Sequence, residues 1–321
     1  MRLWAPLCVV TFLSLSAWTV NTPNISRLVR HASNGDIDAE FALGLAYETG
    51  NGVSQDYAEA ARWYHKAADA GSGPAQTNLG NLYAQGKGVA RDDAFAVKYY
   101  LRAAVQGYPS AQTDIGYMYF YGRGGLPRDY AEAARWFKKG AHQRAARAQL
   151  NLATLYLLGL GVPRDPGIAA KLYLSAARQG NAAAQATIAW MYEHGIGVRR
   201  DLAQAVQWNQ TAAQRGDARA LNNLAYLYEY GLGVPEDLAE AVNLYQQSAA
   251  LGLPEAQRNL AILYAHGKGV TKENAEALRR YAMPQGTDTA PTTATANRSG
   301  EFAMDPWITM GDTGATALDV H

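Results

Sequence analysis

The chain has 321 residues, 48% of them hydrophobic and 18% charged, enough for one large domain or two ordinary ones. Its formal net charge is +1, without the clustered Lys and Arg that phosphate neutralisation needs, so nothing in it points to a nucleic-acid partner and none is expected. In chain order the first segment is MRLWAPLCVVTFLSLSAWTV, with Arg2, an apolar run from Leu3 to Leu15, and small residues at Ser14, Ser16 and Ala17. A short positive start, an apolar stretch too short for a comfortable bilayer span and a small-residue exit predict a secretory signal peptide over residues 1–22, with an uncleaved anchor as the alternative. The only cysteine, Cys8, lies inside it, so a cleaved chain would contain no disulfide.

Residues 25–34 followed by Gly35 match the tail of a helix and predict an N-terminal cap. Then one string recurs seven times: GNGVSQD from Gly50, GKGVARD from Gly86, GRGGLPRD from Gly122 with one inserted residue, GLGVPRD from Gly159, GIGVRRD from Gly195, GLGVPED from Gly231 and GKGVTKE from Gly267. A glycine loop that cradles phosphate occurs once per nucleotide site. Evenly spaced copies are punctuation between helices.

Each unit reads as two helices. Ala39, Leu43, Gly44 and Tyr47 make one stripe, repeated by Ala75, Leu79, Gly80 and Tyr83. Gly50 and Gly86 suit the left-handed position that ends a helix, and Val53 and Val89 are expected to be buried in the turn. Asp56, Asp92, Asp129, Asp165, Asp201 and Asp237 stand where the next helix begins and can cap its free amides. That second helix carries Ala60, Trp63, Tyr64, Ala67 and Ala68 and stops at Gly71. Large rings against alanines give interdigitated packing, and a unit that cannot bury its own faces buries them by stacking.

The pattern A-x-x-x-L-G-x-x-Y-x-x-G-x-G-V-x-x-D-x-x-x-A-x-x-W-Y-x-x-A-A-x-x-G closely resembles the Sel1-like repeat family, relatives of tetratricopeptide repeats. The resemblance implies an all-α solenoid of about seven 36-residue helix-turn-helix units over residues 23–283. Ala153, Ala189, Ala225 and Ala261 replace the stripe glycine in the later units, so small size is the requirement there. Arg144 stands where other units have a helix-ending glycine and predicts an irregular turn. Arg280 and then Met283-Pro284 end the pattern. Residues 284–321, rich in Thr, Ala, Gly and Pro, predict a disordered tail, and SGEFAMDP within it reads as either natural or vector-derived.

Motifs for chemistry are sparse. The histidines lack metal-ligand spacing, and His194 and His266, two units apart, would be separated by about 20 Å of helix packing. There is no cysteine nucleophile and no GxSxG elbow, and neither a cofactor nor a metal is expected. Cysteine-rich relatives have been linked to β-lactam hydrolysis, but this chain lacks their cysteine pairs, which places a hydrolase last.

A surface remains. Beside the buried stripe of each first helix, one position gives Ala42, Asn78, Asp114, Asn151, Thr187, Asn223 and Asn259. Three residues later come Leu45, Asn81, Tyr117, Thr154, Trp190, Tyr226 and Ile262, and four beyond those come Thr49, Gln85, Tyr121, Leu158, His194, Tyr230 and His266. These three rows share one helical edge, which by resemblance lines the groove of the solenoid. Amides offer a donor and an acceptor to a peptide backbone, or else hydrogen-bond between repeats; Tyr and Trp anchor partners, or else pack as ridges. The reading is an exported, periplasmic or secreted bacterial scaffold that binds a protein or peptide. A cell-wall glycan module, associated with peptidoglycan, is the runner-up.

Overall fold

The computed structural model describes residues 24–267 and Gly269. The expected leader and tail, and Arg280 and Met283-Pro284, lie outside the described residues. Within them are fourteen α-helices and no strand. Helix α1 (Ile25–Ser33) is the expected cap. First helices α2 (Ile37–Thr49), α4 (Gly73–Gln85), α6 (Pro109–Tyr121), α8 (Ala146–Leu158), α10 (Ala182–His194), α12 (Ala218–Glu229) and α14 (Pro254–Ala265) alternate with second helices. The latter are α3 (Tyr57–Asp69), α5 (Asp93–Val105), α7 (Tyr130–His142), α9 (Pro166–Arg178), α11 (Leu202–Ala213) and α13 (Leu238–Ala250). Each packs chiefly on the helices before and after it in the chain, so the core runs as a continuous seam.

The punctuation works as its residues dictate. All six expected aspartates are N-caps whose carboxylates accept backbone N–H bonds of the second helix, each worth about 1 kcal/mol. Their own N–H groups reach back to the carbonyl of the first helix, as Asp56 does to Tyr47 (2.9 Å) and Asp201 to Tyr192 (2.9 Å), which closes the loop. The second glycine of the loop has a further duty. Gly88 has φ +68°, and a Cβ there would stand 2.2 Å from the Tyr57 backbone, so this loop seats directly on the start of the preceding second helix. Val53 and Val89, expected to be buried, are half-buried, with Val89 packed against the core edge.

The rings fill the seam. Tyr64, Phe137, Tyr173 and Tyr245 are fully buried and Trp136 nearly so. In the early repeats the ring lies flat on the stripe glycine: a Cβ on Gly80 would come within 2.6 Å of Tyr100. Ala153, Ala189 and Ala225 fill the same place later and are fully buried.

The turn at Arg144 departs from expectation. Arg144 takes φ 63°, the sole non-glycine among the described residues with positive φ, and the turn keeps its regular form. Its N–H bonds Ala141 (2.9 Å) and the next N–H bonds Gly140 (3.1 Å), matching Gly107 to Ala104 (3.1 Å) and Tyr108 to Ala103 (3.3 Å). Packing of α8 on α7 imposes the geometry at a backbone cost of about 1–2 kcal/mol. A second feature, unforeseen from the pattern, is a glutamine ladder. Gln76, Gln112 and Gln185 each donate to the last turn of the preceding helix (3.0, 3.2 and 3.0 Å). Gln106, Gln143 and Gln179, at the ends of the second helices, donate in turn to Gln76, Gln112 and Gln149 of their own repeats.

Candidate functional site

The edge of the first helices divides into a buried and an exposed part. The first row is buried or half-buried, because it stands beside the ring of the preceding repeat. The hydroxyl of Tyr64 donates to the Glu48 carboxylate and accepts from Nδ2 of Asn78 at 3.0 Å. Burial, and then the Glu48 bond, raises this phenol well above its ordinary range. Asn78 is therefore occupied. Asn259 is occupied too, donating to Asn222 at 3.0 Å. Asp114 pairs with Arg147 of the next first helix at 3.3 Å; burial outweighs that guanidinium and pushes the carboxyl up to about 6.

Two of the asparagines stand beside no phenol. The ring ahead of Asn151 is Phe137, which has no hydroxyl, and Asn151 is 1% exposed with both amide atoms unpaired. The residue ahead of Asn223 is Asn209, fully buried and likewise unpaired at both atoms. A buried amide without partners costs about 1–3 kcal/mol, so these positions are where the row retains hydrogen-bonding capacity.

The other two rows form pairs one turn apart. Tyr117 and Tyr121 lie 4.5 Å between centroids, Trp190 and His194 lie 5.2 Å apart, and Tyr226 and Tyr230 lie 4.7 Å apart. The Nδ1–H of His194 donates to the Trp190 carbonyl (3.0 Å), which fixes its ring against the indole. Tyr121, Tyr226 and Tyr230 are 42%, 41% and 55% exposed, large fractions for aromatics in a packed solenoid. Burial first, and then the Glu193 and Glu229 carboxylates, raises the Tyr226 hydroxyl. These pairs hold apolar faces toward solvent on rigid helices, an arrangement suited to side-chain recognition. The structure thus brings Asn223 and Tyr226 on α12 together with Tyr230 at its C-cap, and Trp190 and His194 on α10. Asn78 lies repeats away on α4, engaged within the fold.

Reading the sequence passed over Glu48, Glu193, Glu229 and Asn209. Tyr245 donates to Glu229 (3.0 Å) as Tyr64 does to Glu48, both across sixteen positions. Superposing the repeats in register would have revealed this recurrence, and also Asn209 as the one polar residue among aromatic counterparts. Among the described residues no cluster of His, Cys, Asp or Glu could hold a metal ion, and no helix is long and apolar enough to cross a membrane.

A sequence model of the Sel1 repeat matches residues 37–72, 73–108, 109–144, 146–181, 182–217, 218–253 and 254–279. Among solved structures, a protective antigen of uropathogenic Escherichia coli strains with the same repeat fold is 38% identical, with a TM-score of 0.71. That match covers 82% of this chain and 57% of the antigen. A Sel1 repeat protein from Oxalobacter formigenes is 32% identical, with a TM-score of 0.63 over 71% of this chain and the whole of that one. Among curated proteins, DAP3-binding cell death enhancer 1 of Rattus norvegicus is 49% identical over 45 residues, which span 14% of this chain and 9% of the rat protein.

Proposed function

Since the chain belongs to the Sel1 repeat family, we propose that it is an exported scaffold, without catalysis of its own, that binds an extended segment of a protein partner along the first helices of repeats three to six. Membership supports the binding role, because Sel1 and related solenoids serve as protein-interaction scaffolds. The observation that carries the location is the row of half-buried to exposed aromatic pairs Tyr117–Tyr121, Trp190–His194 and Tyr226–Tyr230, beside Asn151 and Asn223, the two row asparagines that the preceding second helix offers no phenol. Aromatic faces take side chains, and amides take a main chain. Export rests on the leader-like residues 1–22, and the likeness to a protective antigen of a pathogen accords with a periplasmic or secreted place.

The test places a photo-reactive phenylalanine analogue at Tyr226, and separately at Lys138 on the second-helix face, in an envelope fraction of the source organism. The reading predicts one dominant protein adduct from position 226 and none from 138. Adducts from 138 alone would move the surface to the opposite face. Retention on purified peptidoglycan without a protein adduct would favour glycan binding.

A further inference from the structure

The position that Asn209 occupies is held in the other described repeats by Tyr64, Tyr100, Phe137, Tyr173 and Tyr245. The phenol hydroxyls meet polar groups at three fixed offsets. Sixteen residues earlier stands the acceptor Glu48 for Tyr64 and Glu229 for Tyr245. Nineteen earlier stands Asn81 for Tyr100 (2.8 Å) and Thr154 for Tyr173 (2.8 Å). Fourteen later stands Asn78 for Tyr64. Around Asn209 these offsets place Glu193, Trp190 and Asn223. The joint of repeats five and six therefore keeps the carboxylate and the amide that serve a phenol and lacks the phenol itself. Asn209 is fully buried, and neither atom of its amide has a partner. Burial raises the Glu193 carboxyl, tempered by His194 and Arg200.

We propose that this joint between repeats five and six is a binding site for a phenol, the side chain of a tyrosine in a bound segment, held by Glu193, Asn209 and Asn223 beneath Trp190 and Tyr226. A phenol is the chemistry that fits. Its hydroxyl donates to Glu193 as Tyr64 donates to Glu48, its oxygen accepts from an asparagine amide as Tyr64 accepts from Asn78, and its ring meets the indole and phenol faces above. A phenyl ring would leave the polar groups unpaired, and an anion would be repelled by Glu193. Trp190 stands where shorter Asn81 and Thr154 stand in other repeats, so the proposed phenol requires its half-buried indole to move aside.

The proposal rests on the first-helix edge being the binding surface, but a small probe tests it without a partner. p-Cresol, and toluene as its hydroxyl-free counterpart, are titrated into the full-length chain while the indole N–H resonance of Trp190 is followed. p-Cresol is expected to shift that resonance saturably, with toluene binding at least about tenfold more weakly. Asn209→Tyr, which supplies the ring in cis, is expected to weaken p-cresol at least tenfold and to raise the unfolding midpoint. Glu193→Ala is expected to erase the preference for p-cresol over toluene with helical content unchanged, and it carries the test if Asn209→Tyr does not fold. Absence of saturation, equal binding of the two probes, or parental p-cresol binding by Asn209→Tyr would overturn the site. p-Cresol binding without the position-226 adduct would fault the groove reading alone; the adduct without p-cresol binding would fault this site alone.

Discussion

One hydroxyl group separates Phe137 from the residues at the same place in neighbouring repeats, and its effect falls on Asn151, one repeat further on. Where the ring is Tyr64, the following asparagine is hydrogen-bonded at 3.0 Å. Where it is Phe137, Asn151 is buried with both polar atoms unpaired. At Asn78 the row pairs a buried phenol, and at Asn151 the missing hydroxyl leaves the amide unpaired. Phe137→Tyr should restore the pair and stabilise the protein by about 1–2 kcal/mol, one hydrogen bond together with relief of an unpaired amide. Chemical denaturation checks this; a lowered midpoint would show that the ring pocket has no room for the hydroxyl. None of this was legible in a single repeat. The six aspartate caps were, because capping depends only on the residue and its three successors. Pairing between residues fourteen or sixteen apart depends on the stacking of helices, which the pattern implies but does not place in register.

Between elements, the joint of α6 and α8 carries a buried charge. Asp114 lies beside Arg147 and near Tyr100, and burial holds its carboxyl at about 6 against an ordinary 3.8. The folded state therefore keeps a proton that the unfolded state has released between about pH 4 and pH 6. There the folded state binds more protons, so stability falls as pH rises, by roughly 3 kcal/mol across the window. Asp114→Asn removes this contribution and leaves Arg147, whose side chain is 35% exposed, in reach of water. The parent's stability relative to the variant should therefore decline from pH 4 to pH 7 in paired denaturation curves. A difference that stays flat, or grows in the parent's favour, would show that Arg147 holds Asp114 ionised throughout. Nothing in the residue pattern flags this joint: Asp114 reads as another polar member of the row until Arg147 is seen to reach it. Arg144 teaches the converse. Its identity argued for an irregular turn, yet the neighbouring helices hold it at φ 63° with the regular hydrogen bonds.

Over the whole molecule, repetition made the architecture legible. Seven copies of one loop state the helix pairing, the stacking order and the family, and the described helices follow that order. Departures from the repeat, at Phe137, Asn209 and the solvent-facing ring pairs, set this solenoid apart from its own pattern. They concentrate in repeats three to six, on the edge proposed to grip the partner in place of the second-helix face. The direct measurement is the affinity of the protein cross-linked at position 226 for the parent chain and for Trp190→Ala with Tyr226→Ala. Anchor aromatics typically contribute about 2 kcal/mol or more each, roughly thirtyfold in affinity, so the double variant should bind at least that much more weakly with helical content unchanged. Parental affinity in the double variant would contradict the account and return the exposed rings and the open amides to the fold.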